Sequence, residues 1–409
     1  MYKYKSDFLK FIEERGFLNQ VSDSENLDKV FMNKGVSAYV GFDCTAPSLH
    51  IGSLIQIMLL KHLQDFDHNP IILVGGGTSK VGDPSLKDKS RSLLDEEKIQ
   101  FNLEGIKKTF GRFLDLEKSG TLLVDNNEWL GKLNYIDFLR EVGSNFSVNR
   151  MLSFDSVKLR LEREQPLSFL EFNYMIMQGY DFYELNKRHK CVLQMGGSDQ
   201  WGNIICGIDL ARRLSGASLF GLTTPLLTTS SGQKMGKTEN GAIWLNHDEN
   251  SESFSTHPRD FWNYWRDKTE NDRVGPWMRL FTDLSLKEIN MYESLQGEEI
   301  ETAKEILATK ITELVHGKDS NWDSTQTYYL KKDQLKQGLG LLSLLSQDFL
   351  KLTSSNSESR RFVKSNAVKL NEQLIRDEKY IVTVSDFNDS KILKISLGKK
   401  KNILVKIED

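Results

Sequence analysis

The sequence predicts an α/β fold with a parallel nucleotide-binding sheet, followed by an α-helical domain and a small α+β domain. Residues 36–42 form a predicted buried strand, 52–64 a helix with apolar periodicity, and 70–74 a second buried strand. This strand–helix–strand order within roughly forty residues is typical of the βαβ unit of a parallel sheet. The chain has 409 residues, too many for one ordinary core, so more than one domain is expected.

Two loops end the strands of this unit. Residues 41–43 follow the first strand, and three consecutive glycines at 75–77 follow the second. Ligands of open α/β sheets bind beyond the carboxyl ends of the strands. We therefore expect both loops to face one crevice.

The remaining elements of the first domain are shorter. Residues 1–17 have the spacing of an amphipathic helix, and Ser168 with Glu171 forms a capping box that begins another helix. The other segments are predicted to be a strand at 121–124, a helix at 135–142, a strand at 191–195, a helix at 199–214 and an extended stretch at 219–229.

Beyond residue 245 the pattern changes. Residues 259–350 are mostly helical, and the Ser- and Asn-rich segment 353–357 is typical of a linker. A helix at 360–365 is predicted next, and then short strands near 367–370, 381–384, 392–396 and 403–407. The predicted domains are 1–245, which holds the nucleotide-binding sheet and an insertion at about 105–165, a helical 246–350, and a compact 351–409.

Composition excludes several classes of protein. Cys44, Cys191 and Cys206 lie far apart, so neither a disulfide framework nor a Cys-x-x-Cys metal site is expected. No apolar stretch reaches membrane-spanning length and residues 1–17 do not resemble a signal peptide, so we expect a cytoplasmic protein without membrane contact. The net charge is −3, but 355–409 carries twelve Lys or Arg against eight Asp or Glu, which is compatible with a polyanionic partner.

Two short motifs suit the handling of a triphosphate. His-Ile-Gly-Ser at 50–53 begins the first helix, where free N–H groups favour phosphate and Gly52 permits close approach. Lys-Met-Gly-Lys-Thr at 234–238 places two flexible ammonium groups around a glycine. Either motif alone is also typical of a solvated surface, but their combination favours an ATP site.

A polar stripe lies on the helix predicted to begin after Ser168. Tyr174, Gln178 and Asp181 share one face of that helix, among apolar residues that we expect to pack inward. Buried polar groups need partners, so this stripe either faces solvent or meets a polar ligand.

Together these motifs resemble those of bacterial-type tyrosyl-tRNA synthetases, which are class I aminoacyl-tRNA synthetases. The matching segments stand in the family's order at 39–43, 50–53, 82–85, 174–181, 196–203 and 234–238. Gly-Gly-Ser-Asp-Gln-Trp-Gly-Asn at 196–203 is the most discriminating of them. The resemblance covers the whole chain and implies a Rossmann-like catalytic domain, an α-helical domain for the anticodon stem of tRNA, and a small α+β RNA-binding domain.

The resemblance implies a ligase that activates L-tyrosine with ATP, releases pyrophosphate, and transfers the tyrosyl group from tyrosyl-adenylate to the 3′-terminal adenosine of tRNA(Tyr). The implied catalytic residues are His50, Ser53, Lys234, Lys237 and Thr238. The residues implied to bind tyrosine are Tyr39, Asp83, Tyr174, Gln178, Asp181 and Gln200. Those implied to bind ATP are Gly41, Asp43, Thr45, His50, Gly52, Gly197, Asp199 and Lys237, with Lys87 and Arg91 assisting pyrophosphate.

Further expectations follow from the resemblance. Mg²⁺ accompanies ATP on its phosphates, with no metal held by the protein alone. Ser53 stands where relatives have a second His, and Cys44 where many have Pro, but neither change removes a charge that the reaction needs. Tyr39 and Asp181 are expected to pair with the phenol, and such a site needs no editing domain to reject phenylalanine.

The resemblance also implies macromolecular partners. The implied RNA-binding residues are Arg360, Arg361 and Lys364 on a helix and Lys399, Lys400 and Lys401 in a turn, although a solubilising surface explains them as well. A homodimer is expected, because Phe110, Phe113, Leu133, Tyr135 and Phe138 lie in the region that forms the dimer interface in relatives. Core packing accounts for these five residues equally well.

Three other functions stay open from the sequence. A tryptophanyl relative shares the fold and both triphosphate motifs, but an indole needs no phenol donor. A purely RNA-binding role has no use for the motifs at 50–53 and 234–238, and an adenylyltransferase has no use for the C-terminal module.

Overall fold

The computed structural model describes residues 2–83, 94–230, 232, 235–238, 241–248, 253–297, 299–318, 326–335, 338–346, 349–350, 352–371, 373–388, 391–398 and 401–408. The chain forms two compact units, Met1–Ser320 and Asn321–Asp409. No helix within the described ranges is both long and apolar enough to cross a membrane.

The first unit contains a six-stranded sheet and helices on both sides of it. Its strands are β1 (Gln20–Val21), β2 (Ser37–Asp43), β3 (Asn69–Gly75), β4 (Leu122–Asp125), β5 (Leu193–Gly197) and β6 (Phe220–Thr224), and a separate hairpin consists of β7 (Lys237–Thr238) and β8 (Gly241–Ala242). The helices are α1 (Asp7–Glu14), α2 (Ser24–Phe31), α3 (Leu54–Asp65), α4 (Glu96–Phe110), α5 (Asn127–Leu130), α6 (Tyr135–Glu141), α7 (Val148–Leu152), α8 (Asp155–Glu162), α9 (Phe169–His189), α10 (Trp201–Ser215), α11 (Pro258–Lys268), α12 (Val274–Phe281), α13 (Leu286–Glu293) and α14 (Glu299–His316).

The sheet is parallel except at one edge. Its strand order is β1-β6-β5-β2-β3-β4, and only β1 runs antiparallel to its neighbour. β2 therefore lies in the interior of the sheet, and β3 and β5 flank it. The predicted α/β fold is confirmed, and the strands predicted at 36–42, 70–74, 121–124 and 191–195 each coincide with an observed strand to within a few residues.

The capping box predicted at Ser168 is present. Ser168 Oγ accepts from the Glu171 backbone N–H, and the Glu171 carboxylate accepts from the Ser168 backbone N–H at 3.0 Å. This reciprocal pair begins the 21-residue helix α9, which packs along α10. α9 carries the polar stripe of Tyr174, Gln178 and Asp181.

Helices α11 to α14 share the hydrophobic core of the first unit, although the sequence predicts a separate helical domain at 246–350. Trp265 and Trp277 lie in the same core cluster as the buried apolar residues of β2 and α3. Arg15 also joins the two parts, because its guanidinium donates to the backbone carbonyls of Arg279, Thr282 and Leu284. Local periodicity predicts these helices but cannot reveal that their apolar faces pack against the sheet domain.

The second unit begins earlier than the predicted boundary at 351. Its elements are β9 (Gln326–Lys331), β10 (Leu339–Gly340), α15 (Leu341–Leu345), α16 (Asn356–Lys364), β11 (Val368–Leu370), β12 (Gln373–Leu374), β13 (Ile381–Val382), β14 (Ile392–Leu397) and β15 (Lys401–Glu408). β9, which lies in a segment predicted to be helical, pairs in parallel with β15 and completes a sheet of order β12-β11-β14-β15-β9. A strand whose partner lies more than seventy residues away has no local signal beyond its own composition.

The Ser- and Asn-rich segment predicted to be a linker instead begins a helix. Ser355 caps α16 by accepting from the Glu358 backbone N–H at 3.3 Å. Thr353 is buried, and its hydroxyl donates to the Leu345 carbonyl at 3.1 Å. Short hydroxyl side chains favour helix caps as strongly as they favour linkers, so composition alone does not separate the two.

Candidate active site

A cavity of about 350 Å³ lies beyond the carboxyl ends of β2, β3 and β5. The N-terminal end of α3 and the polar stripe of α9 both face it. The predicted site residues that line it are Tyr39, Gly41, Asp43, Thr45, His50, Gly52, Ser53, Asp83, Tyr174, Gln178, Asp181, Gly197, Asp199 and Gln200. The fold thus brings the loop after β2, the motif at 50–53 and the stripe on α9 to one crevice.

Several predicted residues are not placed by the structure. Lys87, Arg91 and Lys234 lie outside the described residues. For Lys237 and Thr238 the structure describes the backbone, which forms β7. The phosphate-binding roles of these five side chains stay predictions.

The floor of the cavity holds a buried carboxyl and a buried phenol. Asp181 is 2% exposed, and its two oxygens accept from Asn126 Nδ2 at 2.9 Å and from Trp129 Nε1 at 2.7 Å. Burial raises the pKa of Asp181 to about 7, against the opposing effect of these two donors. Beside it, Tyr39 Oη is buried and has no hydrogen-bond partner among the described residues. Its ring lies 5.3 Å from that of Phe182, and burial raises the pKa of the Tyr39 phenol well above its ordinary value.

One hydrogen-bond chain leads from this floor to Asp43, at the carboxyl end of β2. Asn126 Nδ2, which donates to Asp181, also donates to Thr78 Oγ1 at 3.0 Å. Thr78 Oγ1 in turn donates to Asp43 Oδ1 at 2.9 Å, and the Tyr174 hydroxyl donates to the same carboxylate at 3.3 Å. Each donor is therefore oriented by the next acceptor, which fixes the side chains before any ligand binds.

A second chain of amides crosses the cavity toward Asp83. Asn203 Nδ2 donates to Gln178 Oε1 at 2.9 Å, and Gln178 Nε2 donates to Gln200 Oε1 at 3.3 Å. Gln200 Nε2 then donates to Asp83 Oδ2 at 2.9 Å. These contacts orient both amide groups, so that Asp83 presents its charge to the cavity in a fixed direction.

The motif at 50–53 forms a single turn of 3₁₀ helix before α3. His50 precedes that turn, and its Nδ1 accepts from the Gly52 backbone N–H at 3.0 Å. Since Nδ1 is an acceptor here, the neutral ring carries its proton on Nε2. A side chain at position 52 would collide with His50, because an ideal Cβ would lie 2.6 Å from His50 Cε1. Ser53 also lines the cavity, and its backbone N–H donates to the His50 carbonyl at 2.9 Å.

The end of β5 approaches the same space at Gly197, which lines the cavity. An ideal Cβ on Gly197 would lie 2.7 Å from Asp199 Oδ1 and 3.0 Å from Leu226 Cδ2. Any side chain at Gly197 would therefore displace the carboxylate of Asp199 from the cavity wall. Gly197 is the last residue of β5, and Asp199 lies in the 3₁₀ turn of residues Ser198–Gln200 that precedes α10.

Five residues of the site were not predicted from the sequence: Thr78, Asn126, Trp129, Gln194 and Asn203. Asn126 directly follows β4 and Thr78 follows the loop after β3, so the rule that ligands bind beyond strand ends could have indicated both. Gln194 lies on β5 opposite Tyr39, and its buried Oε1 has no hydrogen-bond partner among the described residues. Asn203 ends the motif at 196–203, which marks its segment but not its contact with Gln178. Trp129 has no comparable signal, because it acts through Asp181, a residue distant in sequence.

The predicted RNA-binding residues lie in the second unit. Arg360 Nε is 3.0 Å and Lys364 Nζ is 3.9 Å from Glu378 Oε2, so one carboxylate offsets part of their charge. Arg361 is exposed on the same helix. Lys399 and Lys400 lie outside the described residues, and Lys401 is described by its backbone in β15.

Exposed apolar side chains occur on α6, within the predicted insertion of the first unit, and at the start of α9. Tyr135 is 61% and Ile136 60% exposed on α6, and Phe169 is 70% exposed at the start of α9. Phe110 and Phe113, by contrast, are buried in the main core. Core packing therefore explains these two residues, whereas α6 presents apolar surface that a monomer leaves in water.

Comparison with known proteins identifies relatives over the whole chain. The family model "tRNA synthetases class I (W and Y)" matches residues 32–327, and the model "Tyrosine--tRNA ligase SYY-like C-terminal domain" matches 330–405. The chain is 52% identical to the tyrosine--tRNA ligase of Mesorhizobium japonicum, over 98% of this chain and 99% of that protein. It is 48% identical to the corresponding ligase of the Wolbachia of Brugia malayi, over 99% of this chain and 100% of that one.

Solved structures agree in fold. A truncated mitochondrial tyrosyl-tRNA synthetase of Aspergillus nidulans has a TM-score of 0.67 and 30% identity, covering 78% of this chain and 92% of its own. A tryptophanyl-tRNA synthetase of Plasmodium falciparum has a TM-score of 0.57 at 17% identity, covering 77% of this chain and 84% of its own. At that identity the second likeness shows the fold alone.

Proposed function

The chain belongs to the class I tRNA synthetases and, within them, to the tyrosine--tRNA ligases; from that premise we propose how its cavity divides its residues between tyrosine and ATP. The reaction has two steps. The tyrosine carboxylate attacks the α-phosphorus of ATP, which gives tyrosyl-adenylate and pyrophosphate. The 3′-terminal adenosine of tRNA(Tyr) then takes the tyrosyl group and AMP leaves.

The proposed phenol subsite consists of Tyr39 and Asp181 at the cavity floor. The observation that carries this proposal is the buried Tyr39 hydroxyl, which has no partner within the described chain and lies beside a buried carboxyl. A substrate hydroxyl would donate to ionised Asp181 and accept from Tyr39, which satisfies both groups. Phenylalanine would leave the Tyr39 hydroxyl without a partner and would give Asp181 no donor beyond Asn126 and Trp129. Sites built to bind a substrate hydroxyl discriminate by about 10⁴–10⁵, a scale known from tyrosyl enzymes.

The proposed ammonium subsite consists of Asp83, Tyr174 and Gln178. Asp83 supplies the opposite charge, oriented by Gln200 Nε2, while Tyr174 and Gln178 supply oxygen acceptors from the stripe on α9. Gln200 lies between Asp83 and Gln178, and we assign it to the substrate carboxylate that attacks.

ATP occupies the other end of the cavity in this proposal. Gly41, Asp43 and Thr45 follow β2, and His50, Gly52 and Ser53 begin α3, so the triphosphate would lie across the start of that helix. Gly197, which lines the cavity, and the carboxylate of Asp199 are assigned to the ribose, whose hydroxyls donate to a carboxylate.

The first step needs no general base, since the attacking carboxylate is already ionised. Its acceleration comes from positioning and from charge stabilisation of the five-coordinate phosphorus and of the leaving pyrophosphate. We assign the charge stabilisation to His50, Lys234, Lys237 and Thr238. This assignment is supported by the family motif at 234–238 and by the backbone of β7. Lys87 and Arg91 are proposed to assist pyrophosphate.

Mg²⁺ enters this proposal as part of the substrate MgATP. No group of three or more His, Cys, Asp or Glu side chains within the described ranges is arranged to hold a metal ion. The donors that Mg²⁺ prefers are oxygens, and the triphosphate supplies them, so the ion would bind with ATP.

The proposal extends to partners and location. Arg360, Arg361 and Lys364 are assigned to tRNA phosphates, which is supported by the basic balance of 355–409. A homodimer is supported by the exposed apolar side chains of α6. A cytoplasmic location is supported by three buried cysteines that form no disulfide.

Amino-acid-dependent exchange of pyrophosphate into ATP, measured with each of the twenty amino acids, tests the assignment of tyrosine. Exchange is expected with tyrosine alone. Exchange driven by tryptophan and not by tyrosine would refute the phenol subsite.

A Lys237→Ala variant tests the assignment of the phosphate end. Adenylate formation is expected to fall by about 10²–10³-fold, the usual effect of removing one preorganised stabilising group, while tyrosine still binds. Lys187, an exposed lysine over the Tyr183 ring, supplies the control, since Lys187→Ala removes the same charge elsewhere. Equal rates for Lys237→Ala and the control would exclude the role of Lys237.

A further inference from the structure

A tyrosine outside the cavity holds the backbone of the lysine motif. The Gly236 backbone N–H donates to Tyr264 Oη at 3.2 Å. Gly236 lies between Met235 and Lys237, whereas Tyr264 lies on α11, nearly thirty residues further along the chain. Tyr264 does not line the cavity and has no part in the assignments above.

The Tyr264 hydroxyl is held on a rigid support. Its ring lies 6.2 Å from the Trp265 ring at an interplanar angle of 89°, and Trp265 is fully buried against Trp277 and Phe281. Burial raises the pKa of Tyr264, so the phenol keeps its proton at neutral pH. The hydroxyl is thus a fixed neutral acceptor for the Gly236 N–H.

Gly236 lies directly against the His50 turn. Its φ is +102°, a conformation that favours glycine, and an ideal Cβ would lie 3.1 Å from Ile51 Cγ1 and 3.5 Å from His50 Nδ1. Two backbone contacts flank the one to Tyr264: Met235 N–H donates to the Leu227 carbonyl at 2.8 Å, and the Gly236 carbonyl accepts from Ile243 N–H at 3.0 Å. Of these three hydrogen bonds, the one to the Tyr264 hydroxyl is made by a side chain and can therefore be removed by mutation.

We propose that Tyr264 is a positioning residue for adenylate formation: its hydroxyl holds Gly236 against the His50 turn and so fixes where the backbone of Lys237 begins. The proposal rests on the assignment of Lys237 to the phosphate end. A lysine side chain has four rotatable bonds, so its ammonium reaches a defined point only if its backbone is fixed. Losing one of the three hydrogen bonds that hold Met235 and Gly236 would loosen the backbone before Lys237 without removing any group assigned to contact substrate.

Tyr264→Phe tests this, because it keeps the ring and removes only the hydroxyl. One intramolecular hydrogen bond contributes enough that the single-turnover rate of adenylate formation is expected to fall by about 2- to 12-fold. The dissociation constant for tyrosine, measured without ATP, is expected to stay unchanged, since the phenol and ammonium subsites do not touch Tyr264. A wild-type or faster rate would overturn the proposal, the faster rate by showing that the contact holds the motif away from its working position.

Tyr4→Phe is the matched control. Its hydroxyl donates to Ser24 Oγ at 2.9 Å in a buried position of the same unit, remote from the cavity. Tyr4→Phe is expected to lower the urea midpoint while leaving the adenylation rate unchanged. If both variants lose the same fraction of rate, Tyr264 acts through general stability and the proposal fails.

A double-mutant cycle separates this inference from the assignment on which it rests. If Tyr264 acts through Lys237, adding Tyr264→Phe to Lys237→Ala lowers the rate no further. Multiplicative losses overturn the proposal. A slow Lys237→Ala beside a wild-type Tyr264→Phe refutes this inference alone, whereas a wild-type Lys237→Ala refutes the role of Lys237 itself.

Discussion

Replacing Tyr39 by Phe is expected to stabilise the free enzyme and to weaken its reaction with tyrosine. The hydroxyl of Tyr39 is buried without a hydrogen-bond partner among the described residues, and its ring packs against Phe182. A buried polar group left without a partner costs about 1–3 kcal/mol. Phe keeps the ring and removes that group, so the free energy of unfolding is expected to rise by about 1 kcal/mol or more.

The effect on catalysis has the opposite sign. The Tyr39 hydroxyl gains a partner only when the substrate phenol arrives, and one such bond contributes about 0.5–1.5 kcal/mol, so kcat/KM for tyrosine is expected to fall by about 2- to 12-fold. Phenylalanine offers no hydroxyl and leaves Tyr39 as it is in the free enzyme. Its kcat/KM is therefore expected to stay unchanged, and discrimination falls by the factor lost on tyrosine.

Two measurements check this. Urea unfolding of the ligand-free variant, followed by tryptophan fluorescence, gives the stability, and pyrophosphate exchange with tyrosine and with phenylalanine gives the two kcat/KM values. Tyr4→Phe is again the control, because Tyr4 has a hydrogen-bond partner in the folded protein and its loss is expected to destabilise. If Tyr39→Phe lowers the unfolding free energy as Tyr4→Phe does, the Tyr39 hydroxyl has a partner in the free enzyme and the reasoning is wrong.

Three further perturbations follow from the site and its surroundings. Burial raises the pKa of Asp181 to about 7, and the ionised carboxylate is the form that accepts a hydrogen bond from the substrate phenol, so kcat/KM for tyrosine should fall as pH decreases through 7. Trp129→Phe removes a donor that favours the ionised carboxylate, so the acidic limb of the profile of exchange rate against pH should move to higher pH. Arg361→Glu should weaken tRNA charging at physiological salt without changing pyrophosphate exchange, and a loss of both activities would contradict a phosphate contact. Ile136→Asp on exposed α6 should shift sedimentation toward the monomer, and an unchanged dimer would exclude α6 from the interface.

The sequence predicts those parts of the site that depend on residues close together in the chain. The motif at 50–53 and the stripe on α9 follow from helix geometry. The cavity is lined by His50, Gly52 and Ser53 of the motif and by all three residues of the stripe, Tyr174, Gln178 and Asp181. The glycines at 75–77 mark the end of β3, and the chain indeed turns there toward Thr78. These features are local, because a helix face or a strand end is defined within a few residues.

Other features could not be predicted because they depend on tertiary contacts. Asn126 and Trp129 hold Asp181 from a segment more than fifty residues away, and neither belongs to a motif with a spacing of its own. The local pattern predicts helix at the position of β9, since the strand's partner, β15, lies at the far end of the second unit. The composition of 353–357 predicts a linker, because helix caps and linkers share the same residue types.

The charges of the cavity explain why the two substrates need different parts of the chain. Four carboxyl groups line it, those of Asp43, Asp83, Asp181 and Asp199, and its described lining contains no Lys or Arg. Such a cavity attracts the ammonium of tyrosine and repels a triphosphate. In the proposed assignment the motif at 234–238 therefore has an electrostatic task beyond transition-state stabilisation, since it would bring positive charge to a cavity whose described lining has none. The contact that fixes the backbone of that motif, from Gly236 to Tyr264, would accordingly affect the ATP half of the reaction and leave the recognition of tyrosine intact.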